Sequence, residues 1–336
     1  MRVSSLVTSL AVGSVLAAAK PVPRSTSKYP VIKTTKGSVQ GIGSDYRDGI
    51  TVYKGIPFAT TTGGENRWKA PKARKAWSGV LKANSFGPQC AQATSSSAGI
   101  FNTASNISSE DCLYLNIWTP TYNDTSDLAS KKLPVYVWIY GGRFEAGSGV
   151  VATYDGAGLA SKDIVVVNLN YRVGTFGFLA HPDLSAESGH NSSGNYGLLD
   201  QQFALRWVKE NIAQFGGNPD QVTVGGQSAG SASSLDMMYS PLSKDLINGV
   251  ISESGARGPH DPITGSAATS YRTKVAAEAE GVKFQKEMNS SSIAEMRKLP
   301  MELLISYGSI SDTIFEGKQL EPDFFVHGAA IVAPQN

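Results

Sequence analysis

The chain has 336 residues, of which 41% are hydrophobic and 17% charged, enough apolar material to bury a core in one large or two small domains. Thirty basic and 28 acidic residues leave a formal charge of +2, and no run of five like charges occurs, which argues against a nucleic-acid stripe or a membrane-binding patch. With 35 glycines and 16 prolines the composition is neither fibrous nor disordered.

Residues 1–19 begin with a basic position, Arg2, continue through apolar residues to Leu16 and close on Ala17-Ala18-Ala19. This pattern predicts a secretory signal peptide cleaved after Ala19. The alternative is a membrane anchor, but the run falls short of the roughly 20 apolar residues that a bilayer requires, so no stable membrane insertion is expected. A secreted, extracellular protein fits the only two cysteines, Cys90 and Cys112, whose even number suggests one disulfide rather than two free buried thiols. Four Asn-x-Ser/Thr glycosylation sequons, at Asn106, Asn123, Asn191 and Asn289, point the same way, each weakly.

Residues 21–36 are polar and proline-containing and read as a linker. Residues 38–60 alternate apolar and polar across a Gly/Asp-rich turn, the pattern of a β-hairpin. The Ser-, Ala- and Asn-rich stretch 93–109 reads as a surface loop. Short β-branched runs follow at Val135–Tyr140, Ile164–Leu169, Val222–Val224 and Gly249–Ile251. Lacking alternation, they suit strands covered on both faces, as in a mostly parallel sheet. Between the second and third runs, Leu199, Phe203 and Trp207, with Val208, Ile212 and Phe215, form a helical stripe that Gly216-Gly217 terminates. Strand, helix and strand in this order predict an α/β sheet flanked by helices. Beyond about residue 265 no clear architecture emerges.

Gly226-Gln227-Ser228-Ala229-Gly230 lies directly after the third run and before a helix-compatible stretch. A serine on a sharp strand-to-helix turn must take strained backbone angles, and flanking glycines leave room for neighbouring chain. Such a turn lifts Oγ above the sheet, with the helix N-terminus behind it available to a developing oxyanion. Gly141-Gly142-Arg143, closing the first run, can supply further backbone donors.

The Gly-x-Ser-x-Gly turn and Glu110-Asp111-Cys112-Leu113-Tyr114-Leu115-Asn116-Ile117-Trp118 together resemble the two signatures of the type-B carboxylesterase/lipase family, the cholinesterase-like branch of the α/β-hydrolase fold and especially its fungal secreted members. Tyr53-Lys54-Gly55-Ile56-Pro57-Phe58-Ala59, Asn170-Tyr171-Arg172-Val173-Gly174 and Gly194–Gln202 support the likeness, which covers roughly residues 30–260. The resemblance implies an α/β-hydrolase domain over residues 20–336 and a secreted serine hydrolase that cleaves carboxylic esters, small or lipid, through an acyl-enzyme on Ser228. It implies an oxyanion hole from the amides of Gly142, Arg143 and Ala229, a Cys90–Cys112 disulfide and an Arg67–Glu110 pair. No cofactor, metal site or nucleic-acid partner is expected.

The chain departs from the family at four places. Arg143 replaces a small residue, its side chain expected in solvent. Gln227 replaces a glutamate. The Cys90–Cys112 loop lacks the tryptophan with which cholinesterases stack a quaternary ammonium, disfavouring choline esters. In the family the acid and histidine follow the serine well downstream, so both are expected beyond Asn336, the C-terminal third being absent. His327, with Asp312, Glu316, Glu321 or Asp323 as orienter, is a weak substitute better read as structural, while His181, His190 and His260 read as surface or turn residues. The acid and base are therefore unassigned. The alternative function is a catalytically impaired remnant or a non-catalytic binding module.

Overall fold

The computed structural model describes residues 29–93, 99–101, 107–122, 127–255 and 274–308. In chain order the first strands are β1 (Val31–Lys33), β2 (Ser38–Gln40), β3 (Ile42–Gly43), β4 (Ile50–Pro57), β5 (Val80–Lys82), β6 (Gln89–Cys90) and β7 (Ser108–Ser109). The later ones are β8 (Tyr114–Pro120), β9 (Leu133–Ile139), β10 (Val165–Leu169), β11 (Gly217–Gln227) and β12 (Gly249–Glu253).

Seven of these form the central sheet in the order β12-β11-β9-β10-β8-β4-β3. The four strands foreseen from apolar runs, β9, β10, β11 and β12, are its parallel part. At β10–β8 the pairing turns antiparallel and stays so through β4 and β3. All five residues of β10 are buried, as expected of a strand covered on both faces.

The helices are α1 (Leu128–Lys131), α2 (Ala157–Ala160), α3 (Gly174–Phe178), α4 (Pro182–Glu187), α5 (Tyr196–Asn211) and α6 (Ala229–Tyr239), followed by helices at Lys274–Glu287, Ile293–Met296 and Met301–Gly308. The face of α5 turned to the core carries Leu198, Gln201, Leu205 and Val208, with Ile212 following. Of the predicted stripe, Trp207, Val208, Ile212 and Phe215 are buried, while Leu199 and Phe203 are half-buried and pack against the same core. The helix tightens into a 3₁₀ turn, Ile212–Phe215, and ends at Gly216, whose φ of 89° is the left-handed cap that glycine favours.

Three further expectations change. Val31–Lys33, placed in the linker, is a strand paired with β2. The hairpin is formed by β3 and β4, while Ser38–Gln40 leaves it for a small sheet with β1 and β5. The chain separates at Gly41, where a methyl group would lie 2.6 Å from the Val52 carbonyl oxygen. The foot of the surface loop, Ser108–Ser109, pairs with β6. The predicted signal peptide, Asn106, Asn123, His260, His327 and the acids beyond residue 309 lie outside the described residues.

The helices after residue 273 belong to the same core, through Phe284, Met296 and Leu304. Arg67 ties them down. Its Nε and Nη2 donate to the two Glu110 carboxylate oxygens at 2.6 Å each, and Nη1 donates to the carbonyls of Arg297 and Leu299. Arg297 in turn forks onto Glu187 and donates to the Arg67 carbonyl. Bidentate guanidinium–carboxylate geometry of this kind is the strong form of the charge-assisted bond.

Candidate active site

Ser228 stands between β11 and α6 with φ 57° and ψ −118°. A non-glycine residue held there costs on the order of 1–3 kcal/mol and persists only where the surroundings impose it. Here they do. The Ser228 amide donates to the Glu253 carbonyl on β12 at 2.9 Å, and the Ser228 carbonyl accepts from Ala232. A methyl on Gly226 would overlap Gly230, and one on Gly230 would overlap the Ile139 carbonyl oxygen of β9. These two glycines let α6 start against the sheet, and Ala229, its first residue, is buried. The first amides of a helix have no partner within it. Ser228 itself is half-buried.

Opposite lies the glycine loop at the end of β9. A methyl on Gly141 would overlap the Gln227 carbonyl oxygen and lie 3.1 Å from Ser228 Cβ, so this loop abuts the serine turn. Gly142 (φ 117°), Arg143 (φ 60°) and Phe144 (φ 62°) follow with positive φ. The Gly142 carbonyl accepts from the amides of Glu145 and Ala146, closing a tight turn. Among the described residues, the Gly142 and Arg143 amides donate to no acceptor. The Arg143 side chain is half-buried rather than free in solvent. Its Nε is 3.9 Å from Glu145 Oε1, beyond hydrogen-bond reach, and its Nη2 is buried without a hydrogen bond.

Side chains from distant segments pin this loop. Gln92 donates through Nε2 to the Gly147 carbonyl and accepts from the Gly147 amide through Oε1, both at 2.8 Å. Asn170 Oδ1 accepts from Gly149, and its Nδ2 donates to Pro88. The Gly174 amide donates to the Phe144 carbonyl. Tyr140 and Tyr171 stack with centroids 4.3 Å apart, each hydroxyl donating to the other's carbonyl. Burial pushes both phenols far above their ordinary range. Sequence reasoning gave Gln92, Asn170 and Tyr171 no role. Asn170 and Tyr171 stood in a motif without a geometric reason, and Gln92 carried no signal at all.

The implied disulfide and ion pair are both present. Cys90 and Cys112 are joined, and Arg67 pairs with Glu110. His181, expected at the surface, is buried, and it caps α4. Its Nδ1 accepts from the Asp183 amide at 3.1 Å, which leaves the proton on Nε2 to donate to Gln285 Oε1 at 2.9 Å. It packs under the helix Lys274–Glu287, which the sequence did not delimit. His190 is exposed, as are Asn191 and Asn289. Among the described residues no group of His, Cys, Asp or Glu could hold a metal, and no helix is long and apolar enough to cross a membrane.

This geometry has relatives. Residues 28–327 match the sequence profile of the carboxylesterase family. The chain is 38% identical over 323 residues to the fumonisin B1 esterase of Sphingopyxis macrogoltabida, covering 93% of this chain and 56% of the relative. It is 43% identical over 229 residues to the para-nitrobenzyl esterase of Bacillus subtilis, covering 68% and 44%. A solved PNB esterase structure superposes with a TM-score of 0.72 at 36% identity, over 88% of this chain and 56% of that one. The chain thus spans about half the length of these relatives. By profile, identity and fold alike, the chain belongs to the carboxylesterase family and has its α/β-hydrolase architecture.

Proposed function

We propose that this chain carries the nucleophile and oxyanion donors of a serine hydrolase that cleaves carboxylic esters through an acyl-enzyme. Ser228 Oγ would attack the ester carbonyl, and the amides of Gly142, Arg143 and Ala229 would receive the negative oxygen of the tetrahedral intermediate. One such donor is typically worth about 3 kcal/mol of barrier. The supporting observation is the left-handed Ser228 at a strand-to-helix turn, packed against a loop whose Gly142 and Arg143 amides are uncommitted among the described residues. Relatives named as esterases support the same chemistry. The expected substrates are small-molecule or lipid esters.

A fluorophosphonate probe tests the reading. Label is expected on Ser228 of the folded chain and is expected to vanish in Ser228→Ala. Equal labelling of the two would sink the assignment. A second reading, a non-catalytic ester-binding module, is favoured by the two histidines among the described residues: His181 has both ring nitrogens engaged with Asp183 and Gln285, and His190 is exposed. Without a general base a serine hydroxyl is a poor nucleophile. Turnover of a p-nitrophenyl ester that disappears in Ser228→Ala excludes this alternative.

We further infer an extracellular location reached through the signal sequence at residues 1–19. The Cys90–Cys112 disulfide and the exposed sequons at Asn191 and Asn289 support it. Removal of N-glycans from the protein produced in a eukaryotic host should lower its apparent mass, and an unchanged mass would count against glycosylation.

A further inference from the structure

We infer that Gln92 is a positioning residue that ties the geometry of the glycine loop to the Cys90–Cys112 disulfide; for catalysis this rests on the hydrolase reading above. Contacts run unbroken from the cross-link to the serine turn. Gln92 stands two residues after Cys90, and its Nε2 also donates to the Cys90 carbonyl at 2.9 Å. Its carboxamide then forms two opposed bonds with Gly147, the same donor–acceptor pairing that one strand residue makes with another. Gly147 has φ 133°, and a methyl there would overlap the Tyr140 ring and lie 2.7 Å from the Gly141 carbonyl oxygen. Gly141 in turn abuts Ser228.

The logic is mechanical. The turn 142–146 is closed on itself by the Gly142 carbonyl, so its orientation depends on its two feet and on the Gly174 amide that holds the Phe144 carbonyl. Gly141 is one foot, held by β9 and the serine turn. Gly147 is the other, and both of its backbone polar groups are satisfied by one side chain from another part of the chain. Two backbone groups losing their partners at a half-buried site would leave that foot free to swing, carrying the Gly142 and Arg143 amides with it. Gln92 keeps its place because the adjacent Cys90 is covalently fixed to Cys112, just before β8.

The test compares wild type, Gln92→Ala, Gln92→Glu, the double variant Cys90→Ala/Cys112→Ala, and wild type treated with a dithiol. The dithiol reduces the cystine to two thiols and is itself oxidised to a cyclic disulfide. Hydrogen exchange of residues 141–149 reads the geometry without requiring activity. It is expected to quicken about tenfold or more in Gln92→Ala and on reduction, with the helix Tyr196–Asn211 unchanged. Gln92→Glu, which keeps only the acceptor, should fall between. Where the intact chain turns over a p-nitrophenyl ester, Gln92→Ala should lose about tenfold in kcat with KM within about twofold, because the amides act on the transition state. Exchange at 141–149 equal to wild type overturns the inference. Failure of wild type to take up a fluorophosphonate label overturns the hydrolase reading instead, and the exchange result still stands.

Discussion

The serine turn and the glycine loop abut, yet they are stiffened in different ways. The serine turn is rigid by exclusion: Gly226 and Gly230 have backbone where a side chain would begin, and Ser228 is held at φ 57° by bonds to the strand beside it and the helix after it. The glycine loop is rigid by attachment. The loop that carries its positive-φ run, Gly142 to Phe144, is fastened by Gln92, Asn170 and Gly174, which come from two other segments. Local sterics make the first region all-or-none, whereas the second can be loosened one fastener at a time.

The largest effect should come from the first region. Gly230→Ala drives a methyl into the Ile139 carbonyl, a backbone atom that cannot rotate away. A destabilisation of about 3 kcal/mol or more is expected by denaturant unfolding, and a change under about 1 kcal/mol would show that α6 can lift off the sheet cheaply. Next comes Asn170→Ala, which strands the Gly149 amide and the Pro88 carbonyl. Each lost partner costs about 1–3 kcal/mol if no water replaces it, and thermal melting together with exchange at residues 141–149 measures it. A loss confined to melting, with exchange unchanged, would break the picture of independent fasteners.

An alkaline titration probes the packing beside β9. Burial pushes the Tyr136 and Tyr154 phenols up to about 12 from an ordinary value of 10.0. The unfolded chain therefore ionises first, and folded stability, full below pH 10.0, should fall as the pH rises towards about 12. A melting temperature flat across that window would contradict the burial. The smallest effect is expected for Arg143→Gly. Glycine relieves the strain at φ 60° but adds freedom to the unfolded chain, so the net change should stay within about 1 kcal/mol by thermal melting.

What the sequence made legible follows the same division. The strands β9 to β12 and the serine turn are encoded in contiguous residues, so apolar runs and the Gly-x-Ser-x-Gly pattern report them directly. The disulfide was readable from the even pair of cysteines, whereas the Arg67–Glu110 pair was readable only through family resemblance, because it joins segments far apart in the chain. Gln92 was illegible for the same reason, with no motif to compensate. His181 was misread because its neighbours His181-Pro182 look like a loop, whereas they begin α4, with proline at its favoured first position. Burial came from a helix a hundred residues later, whose own pattern was too weak to delimit.

The bifurcated reach of Arg67 has a consequence for biosynthesis. Its bond to the Leu299 carbonyl joins residues 232 apart. A nascent chain emerging from the ribosome can set Arg67 against Glu110 early, but the remaining guanidinium nitrogen must stay hydrated until Leu299 has been translated and has cleared the exit tunnel. The Arg67 side chain therefore completes its hydrogen bonds only after this later segment is made, so stalling before that codon should leave an assembly intermediate with a wet seam where the folded molecule is dry.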